Sequence, residues 1–525
     1  MPELEAQHEL ETTSLLHETS PTGPKPLVQS SRPSYWFAVL ALVFLGFHIG
    51  PLGALNAPFL RELFCERGIP EGLIPNRNST NRAIGDIPGN DDGHCDTAEF
   101  SAAIARFMSV TITLTAISVT LSVRYWSGLS DRIGRKRTMQ LCALGSLSAH
   151  LIYVLVRANR NVNLYFIWVG DIVEGVAGSV ATFETLAHTY VTDVTNPDER
   201  TVIFGRLGAG FLIGSIVGIS MGSFAAKMLG LTFVFVWMIP GFAALSFLFV
   251  SSIPESLSEA NLINNRMLHN QPTLVQFQQH ESDQKSLRHS WTQVVTSGKD
   301  QLKTFIKGFV PDQLPNRLPG KYSIAIISVI FFLTSAATVG TGSQVMPYLL
   351  FQFHWTETEL SLFMILTGSS QFLYYVFLLP FIRRFAPKGA HADPAVSINF
   401  DLKVAALFSL LGGVSYLLIA VATTNLAVFI SVLVGSLFLM FPPAIRSVVS
   451  QSVAPEQIGV TFGSLSMIPA LASILAPLPA SWIYGATVEF WPTALFYISS
   501  VVAMVGFALS LLLYIRQTRV MRNRL

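Results

Sequence analysis

Residues 127–137 read SGLSDRIGRKR and lie between two apolar stretches at about 101–125 and 138–157. Each apolar stretch has the roughly 20 residues that a helix needs to cross the hydrocarbon core of a bilayer. Because backbone groups in lipid must satisfy their own hydrogen bonds, each stretch is predicted to be a transmembrane helix. The basic residues between them are expected at the cytosolic face, since short cytosolic loops retain positive charge.

Stretches of this kind recur along the chain. Of its 525 residues, 51% are hydrophobic and only 13% are charged, against roughly 25% in a soluble domain. The sequence therefore predicts an all-α membrane protein with twelve transmembrane helices. The predicted spans are 35–60, 101–125, 138–157, 163–191, 203–226, 231–251, 322–349, 359–381, 403–422, 425–447, 459–485 and 493–514. A net charge of +2 without a long basic run argues against nucleic-acid binding.

Charge and hydropathy also predict the organisation of the chain. Most of the 34 Lys and Arg residues fall on one side of the predicted spans, which places both termini in the cytosol. The predicted parts are a disordered cytosolic tail at 1–34, a six-helix bundle at 35–251, a cytosolic linker at 252–321, a second six-helix bundle at 322–514 and a basic cytosolic tail at 515–525.

A short internal repeat supports the division into two halves. The sequence Pro197-Asp198-Glu199 followed by Phe204-Gly205 is echoed by Pro455-Glu456-Gln457 followed by Phe462-Gly463 at a constant offset. The two copies join the fourth to the fifth span and the tenth to the eleventh. This placement is expected if the halves are parallel pseudo-repeats.

The segment 127–137 resembles the signature loop of the major facilitator superfamily, G-x-L-x-D-R-x-G-R-K, with Ser127 in place of the first glycine. The resemblance implies the major facilitator fold, in which the first, fourth, seventh and tenth helices line a central cavity. It also implies a gating role for the loop. The implied gating residues are Asp131, Arg132, Gly134, Arg135 and Lys136.

The fifth span carries Gly210, Gly214, Gly218 and Gly222 at every fourth position, which predicts close packing of a neighbouring helix. The stripe resembles the helix-five motif of proton antiporters, G-x-x-x-G-P-x-x-G, but Ile219 replaces the proline. We therefore favour symport or facilitated movement over efflux.

The last third of the chain is similar to the proton-coupled folate transporter and its solute-carrier relatives. The matching residues include Pro443-Ala444-Ile445-Arg446-Ser447, Ser450, Val453, Gly459 and Phe462, with Asp193-Val194 and Arg200 in the first half. Folate is not the expected solute, because the fifth span has no acid and the body of the seventh span has no histidine.

Asp171 and Glu174 are the predicted proton-coupling residues. They are neighbours on one face of the fourth span. A charged side chain at mid-membrane costs about 2.5–3.5 kcal/mol on insertion scales, and removal from water favours the protonated form of a carboxylic acid. The alternative is a pair that stabilises the bundle, with Arg106 of the second span as its partner.

Other polar residues within spans are candidates for the cavity or the solute: His48, Asn56, Glu184, His188, Gln344 and Arg446. Glu184 and His188 share a face of the fourth span and either gate the cavity or reach interfacial water. Arg446 occupies the repeat position of His188, and its alternative is a basic residue at a helix end. The alternative role of His48, Asn56 and Gln344 is a hydrogen bond to a neighbouring helix.

Three features concern processing and location. Cys65 and Cys95 lie in the first outside loop and are a candidate disulfide, and Asn78 in the same loop heads a glycosylation sequon. The segment Glu11 to Leu16 has the form of an acidic dileucine signal, in which Leu15 and Leu16 would contact sorting adaptors. The plasma membrane and a vacuolar or lysosomal membrane both remain open.

No P-loop, metal-ligand pattern or nucleophile elbow occurs, so neither an enzyme nor a bound cofactor is expected. The predicted function is alternating-access transport of a small organic solute, with protons as the expected coupling ion and the lipid bilayer as its surroundings. The alternatives are drug or toxin efflux by proton antiport, and a non-transporting membrane sensor with the same fold.

Overall fold

The computed structural model describes residues 33–73, 95, 97–195, 200–257, 263, 322–384, 394–453 and 458–522. Within these residues, twelve helices are long and apolar enough to cross a membrane, which confirms the predicted fold class. We number them α1 to α12. Their bounds are Tyr35–Arg67, Ala98–Ile133, Arg135–Ala158, Phe166–Val194, Arg200–Leu229, Leu231–Ser252, Ser323–Gln352, Glu357–Leu378, Pro394–Val421, Asn425–Ser452, 458–487 and Ala494–Arg522.

The helices form two bundles, α1 to α6 and α7 to α12. Because successive helices run in opposite directions, the bundles share two ends. We call them the Cys65 end, where α1 finishes, and the Gly134 end, where α2 meets α3.

The apolar core is shared at one end and divided at the other. At the Cys65 end a single cluster of buried residues takes members from both bundles, such as Phe107 of α2 and Phe496 of α12. Toward the Gly134 end each bundle has its own cluster, around Phe183 in the first and Phe441 in the second. The bundles are therefore joined at the Cys65 end.

Close packing of α1 on α5 depends on the glycine stripe. A Cβ atom at Gly214 would lie 2.1 Å from the carbonyl oxygen of Val43, and one at Gly218 would lie 2.4 Å from that of Phe47. On α1, a Cβ atom at Gly50 would lie 2.4 Å from the carbonyl oxygen of Ser215. Only glycine permits this approach of the two backbones.

Two helices are interrupted at equivalent places in the two halves. In α4, Gly178 has a φ of 105° and separates Phe166–Val176 from Ser179–Val194. In α10, a 3₁₀ turn at Leu437–Met440 separates Asn425–Ser436 from Phe441–Ser452. Broken helices near mid-membrane are found where the backbone borders a cavity.

Several predicted boundaries are wrong. The ninth helix begins at Pro394 instead of 403, and three other helices extend beyond their apolar spans through charged residues. The first helix ends at Arg67 instead of 60, because Glu62 and Glu66 form ion pairs of 3.0 and 2.8 Å with Arg157 of α3. Cys65 is therefore in the last part of α1 and not in a loop. The last helix continues from the predicted 514 to Arg522, with basic residues in its final turn, where they interact favourably with the helix dipole.

The signature segment is also helical and not a loop. The second helix runs to Ile133 instead of 125, and α3 begins at Arg135, so that Gly134, with a φ of 104°, alone makes the turn. Glu255, after α6, accepts a hydrogen bond of 2.8 Å from the backbone N–H of Arg135. This carboxylate satisfies one of the free donors at the start of α3.

Cys65 and Cys95 are joined by a disulfide whose Cα atoms lie 5.7 Å apart, whereas Cys142 is a buried free thiol. We expect protein isolated without reductant to give the linked Cys65–Cys95 peptides in non-reducing mass spectrometry. Cys142 is the internal reference, because it should be alkylated only after unfolding. Alkylation of Cys65 and Cys95 in the folded protein would contradict the prediction.

Several predictions fall on residues outside the described part of the chain. These are the glycosylation site at Asn78, the sorting signal at Leu15 and Leu16, the tail at 1–32 and nearly all of the linker.

Candidate functional site

A cavity of about 610 Å³ lies between the two bundles. The expected lining helices α1, α4, α7 and α10 all contribute to it, through residues such as Asn56, Glu174, Thr338 and Ser436. Side chains of α2, α8, α9 and α12 complete the wall. A volume in this range suits a drug-sized solute.

Glu174 and Asp171 occupy different environments although they are one turn apart. Glu174 lines the central cavity. Asp171 is only 4% exposed, and its Oδ1 accepts a hydrogen bond of 2.9 Å from the hydroxyl of Tyr153 on α3. One acid thus faces the cavity while the other lies inside the first bundle.

The break in α4 lies next to Glu174. Ser179 begins the second part of the helix, and its hydroxyl donates to Oε1 of Glu174 at 3.5 Å. A helix start carries free N–H groups and a partial positive charge, so the local backbone favours a nearby carboxylate.

Behind Glu174, a space of about 10 Å³ leads into the first bundle. Its wall includes Glu174, Ser146 and His48, and His48 Nε2 lies 3.3 Å from the Ser146 hydroxyl. The rings of His48 and His150 are 5.3 Å apart, and Nε2 of His150 has no hydrogen-bond partner among the described residues. Titratable groups therefore extend from the cavity wall to α3.

Arg106 does not pair with these acids. Its Nη1 donates to the carbonyl oxygen of Leu73, and its guanidinium lies 5.9 Å from the ring centroid of Trp482 on α11. Among the described residues, neither Asp171 nor Glu174 forms an ion pair. Among these described residues, no contact therefore supports the alternative in which Asp171 and Glu174 stabilise the bundle by pairing with Arg106.

The candidates on α1 and α7 lie in different places. Asn56 lines the cavity, as expected for a solute contact. The described lining of the cavity does not include His48, which is 1% exposed, or Gln344, which is fully buried. Gln344 instead donates to the Ser109 hydroxyl of α2 at 2.8 Å, which is a hydrogen bond between helices.

Glu184, His188 and Arg446 lie toward the Gly134 end, beyond the described lining of the cavity. Glu184 and His188 follow the cavity residue Val180 at successive four-residue steps, and Arg446 follows the cavity residue Phe438 by eight residues. Glu184 and His188 therefore continue the cavity face of α4. Glu184 and Arg446 are exposed, and Nδ1 of His188 lies 2.8 Å from the backbone oxygen of Glu184.

Contacts between the bundles close the cavity at the Cys65 end. The Ser101 hydroxyl of α2 donates to the carbonyl oxygen of Pro347 at 3.1 Å and lies 2.8 Å from the Tyr484 hydroxyl of α11. The separate cores at the Gly134 end and the exposed Glu184 and Arg446 are consistent with an opening there.

The sequence reasoning missed three elements of the site and one buried acid outside the described cavity lining. Tyr153 and His150 stand on the apolar α3 with no sign of their partners in the sequence. Gly178 and Ser179 in the middle of a long apolar span were a readable signal for a helix break. Asp401 was missed because it lies just before the predicted span; it is buried and accepts a hydrogen bond of 2.6 Å from Ser447.

The sequence profile described as Major Facilitator Superfamily matches residues 97–477, which is most of the chain. The chain belongs to the Major Facilitator Superfamily. With its twelve apolar helices, this superfamily member is an integral multi-pass membrane protein, and family and fold indicate a transporter rather than an enzyme.

This superfamily member is similar in sequence to proteins with several different names. It is 24% identical over 484 residues to the MFS-type transporter avaJ of Aspergillus versicolor, with 86% of each chain covered. It is 25% identical to a lysosomal proton-coupled steroid conjugate and bile acid symporter of Gallus gallus, over 71% of this chain and 72% of the relative. This is consistent with the distant similarity to solute carriers expected from the sequence. It is also 23% identical to the class C tetracycline resistance protein of Escherichia coli, over 74% and 83%.

Solved structures with the same fold include a POT family transporter in complex with 5-aminolevulinic acid, with a TM-score of 0.59 and 15% identity over 92% of this chain and 96% of that one. The human organic anion transporter MFSD10 has a TM-score of 0.53 and 18% identity over 91% and 98%. At these identities the likeness establishes the fold alone.

Proposed function

We propose that this protein moves a small organic solute across its membrane by alternating access, coupled to protons that bind at Glu174 and Asp171. The observation that carries the proposal is the position of Glu174, a carboxylate in the cavity wall with no ion-pair partner in the described part of the chain. An ionised carboxylate without a partner is costly in a largely apolar wall, so Glu174 is a position at which a proton can bind.

In this proposal, Glu174 and Asp171 have different roles in proton coupling. Glu174 meets whatever solvent or solute fills the cavity, and Asp171 holds a second proton-binding position through Tyr153. Closing the cavity removes water from Glu174, so an ionised carboxylate there needs a proton or another partner. The exposure of Glu174 to one side or the other therefore links its protonation to the conformational cycle.

With the orientation predicted from charge, the Gly134 end faces the cytosol and the cavity opens toward it. One relative supports proton-linked transport of organic compounds, because the protein from Gallus gallus is named a proton-coupled steroid conjugate and bile acid symporter.

Exchange of a solute for a proton is a second candidate mode. The lack of the helix-five proline favours symport or facilitated movement. The position of Glu174 favours exchange, because a solute bound in the cavity and a proton meet the same carboxylate. The direction of proton movement during solute flux separates the two modes.

Reconstituted vesicles containing a pH-sensitive dye test the proposal. We expect uptake or release from a solute panel at two external pH values to depend on pH and to move protons across the membrane. The control is Gly342→Phe, because Gly342 lines the cavity and a Cβ atom there meets nothing within 4 Å. This variant should fold and lose flux. Solute flux without proton movement would contradict proton coupling. The absence of flux for the whole panel would favour the alternative function, a non-transporting membrane sensor.

We expect Asp131→Asn to lower solute exchange several-fold while protein abundance stays near normal. Asp131 is half exposed and contacts Arg135 at 2.6 Å, but Arg135 also contacts Asp193 of α4 at 3.2 Å. Exposed ion pairs contribute about 0–1 kcal/mol, and Arg135 keeps a carboxylate, so folding should survive. Counterflow normalised to protein in the membrane measures the effect.

The matched control for Asp131→Asn is Asp193→Asn. Asp193 accepts hydrogen bonds from both Arg135 and Ser256, the latter at 2.9 Å, so its loss should lower abundance. If Asp131→Asn reduces abundance in proportion to flux, the residue is a folding element and not part of the gate.

A further inference from the structure

The wall of the central cavity carries one sign of charge. Glu174 is the only charged side chain among the described residues that line it, and no lysine, arginine or histidine is among them. An organic anion in this space would meet a carboxylate without a compensating cation, and like charges repel strongly where water is scarce.

Most of the hydroxyls in the described cavity wall share a second property. Six hydroxyls donate their single proton to a backbone carbonyl of their own helix, at distances of 2.6–2.9 Å. A hydroxyl has one donor and two acceptor sites, so each of these offers only acceptor sites to the cavity. The six are Thr338, Ser343, Thr367, Ser415, Ser431 and Ser436.

From these two observations we infer that the cavity takes an amphipathic organic solute bearing a protonated amine, which lies against Glu174 and competes with a proton there. The inference rests on the proposed function for its link to protons. The amine supplies the positive charge that the described wall lacks, and its N–H groups can donate to the acceptor sites of the six hydroxyls, while Asn56 and Gln371 of the wall carry amide donors of their own. Apolar residues such as Leu52, Met108 and Phe363 cover the body of the solute.

None of the other described titratable groups around Glu174 places a positive charge in the cavity wall, where it would pair with Glu174 in place of the amine. Asp171 is on the same helix, Tyr416 faces the cavity from α9, and His48, Cys142, His150 and Tyr153 lie within the first bundle. An amine within the cavity is therefore expected to bind at Glu174.

Three fluorescent probes test the inference at equilibrium, without a proton gradient. They are dansyl sulfonamides with one alkyl chain that ends in an amine, a hydroxyl or a carboxylate. With the full-length protein in lipid nanodiscs at neutral pH, we expect the amine to bind at least about tenfold more tightly than the carboxylate, with the alcohol between them. The affinity of the amine should fall as the pH is lowered, because protons compete for Glu174.

Two variants separate the site from non-specific uptake into lipid. Glu174→Gln should remove the advantage of the amine and its pH dependence, so that the amine and the alcohol bind with similar affinity. Glu99→Gln removes an exposed charge at the start of α2, outside the cavity, and should bind all three probes like the parent protein. Gly342→Phe places a phenyl ring in the cavity and should strongly weaken saturable binding of all three probes.

Binding of the carboxylate probe as tight as that of the amine would overturn the inference, and so would an amine preference that survives in Glu174→Gln. Absence of saturable binding for every probe would also overturn it. A failure of the proposed function gives a different result: the amine preference holds, but reconstituted vesicles move solute without protons.

Discussion

Glu174→Gln and Asp171→Asn are each expected to abolish the coupling of solute movement to protons while exchange of a neutral solute survives. The amide keeps the shape of the side chain and its ability to hydrogen-bond, but it does not titrate. With one proton moved per solute, a tenfold proton gradient drives about tenfold accumulation, since both gradients then hold the same free energy. In the variants the solute should reach equal concentrations on the two sides.

The measurement is counterflow and proton-driven transport of one neutral substrate, each normalised to protein in the membrane. Glu99→Gln is the charge-matched control and should keep full coupling. A role in stabilising the bundle gives the opposite result, because loss of a buried partner lowers the amount of folded protein without changing the pH profile. Unchanged proton dependence in both single variants and in the double variant would end the assignment, and Arg446 with His188 would be the next pair to examine.

Gly214→Leu is expected to prevent most of the protein from folding. A Cβ atom at this position would lie 2.1 Å from the carbonyl oxygen of Val43 and 2.8 Å from its carbonyl carbon. These are backbone atoms of α1, so the clash is relieved only by separating the two helices. Overpacking usually costs about 1–3 kcal/mol, and the upper end of that range lowers the folding equilibrium constant by more than about a hundredfold.

Gly208→Leu is the matched control on the same helix, because a Cβ atom at Gly208 has nothing within 4 Å. Its yield of monodisperse protein in size-exclusion chromatography should stay within about twofold of the parent. Equal yield and equal heat stability of Gly214→Leu would show that contact between α1 and α5 is not needed for the fold.

Much of the fold was predictable because it follows from the lipid solvent. A helix in lipid must be long and apolar over its whole span, so all twelve helices are visible as apolar stretches. The ends were less predictable. Glu62 and Glu66 extend α1 through contacts with Arg157, a residue about 90 positions away that no local pattern identifies.

The site was predictable only in part. An acid within an apolar span has few roles, so Asp171 and Glu174 were identifiable as candidates from sequence. Their different surroundings were not, because Tyr153 reaches Asp171 from another helix and the break at Gly178 turns the chain beside Glu174. His48 and Gln344 look alike in sequence, as polar residues in apolar spans, yet packing places both away from the cavity wall.

The sequence by itself determined the helical membrane fold, the two repeated halves and the acids of α4, because hydropathy, spacing and charge are local properties of the chain. The tertiary structure alone decided which of those polar groups share one cavity and to which carbonyl oxygen each hydroxyl of the wall donates its hydrogen bond. Those properties depend on the rotation of each helix about its axis and on the approach of helices distant in sequence, such as α1 and α5. Among the described residues, the single negative charge of the cavity wall, on which the expected solute depends, is therefore a property of the packed bundles.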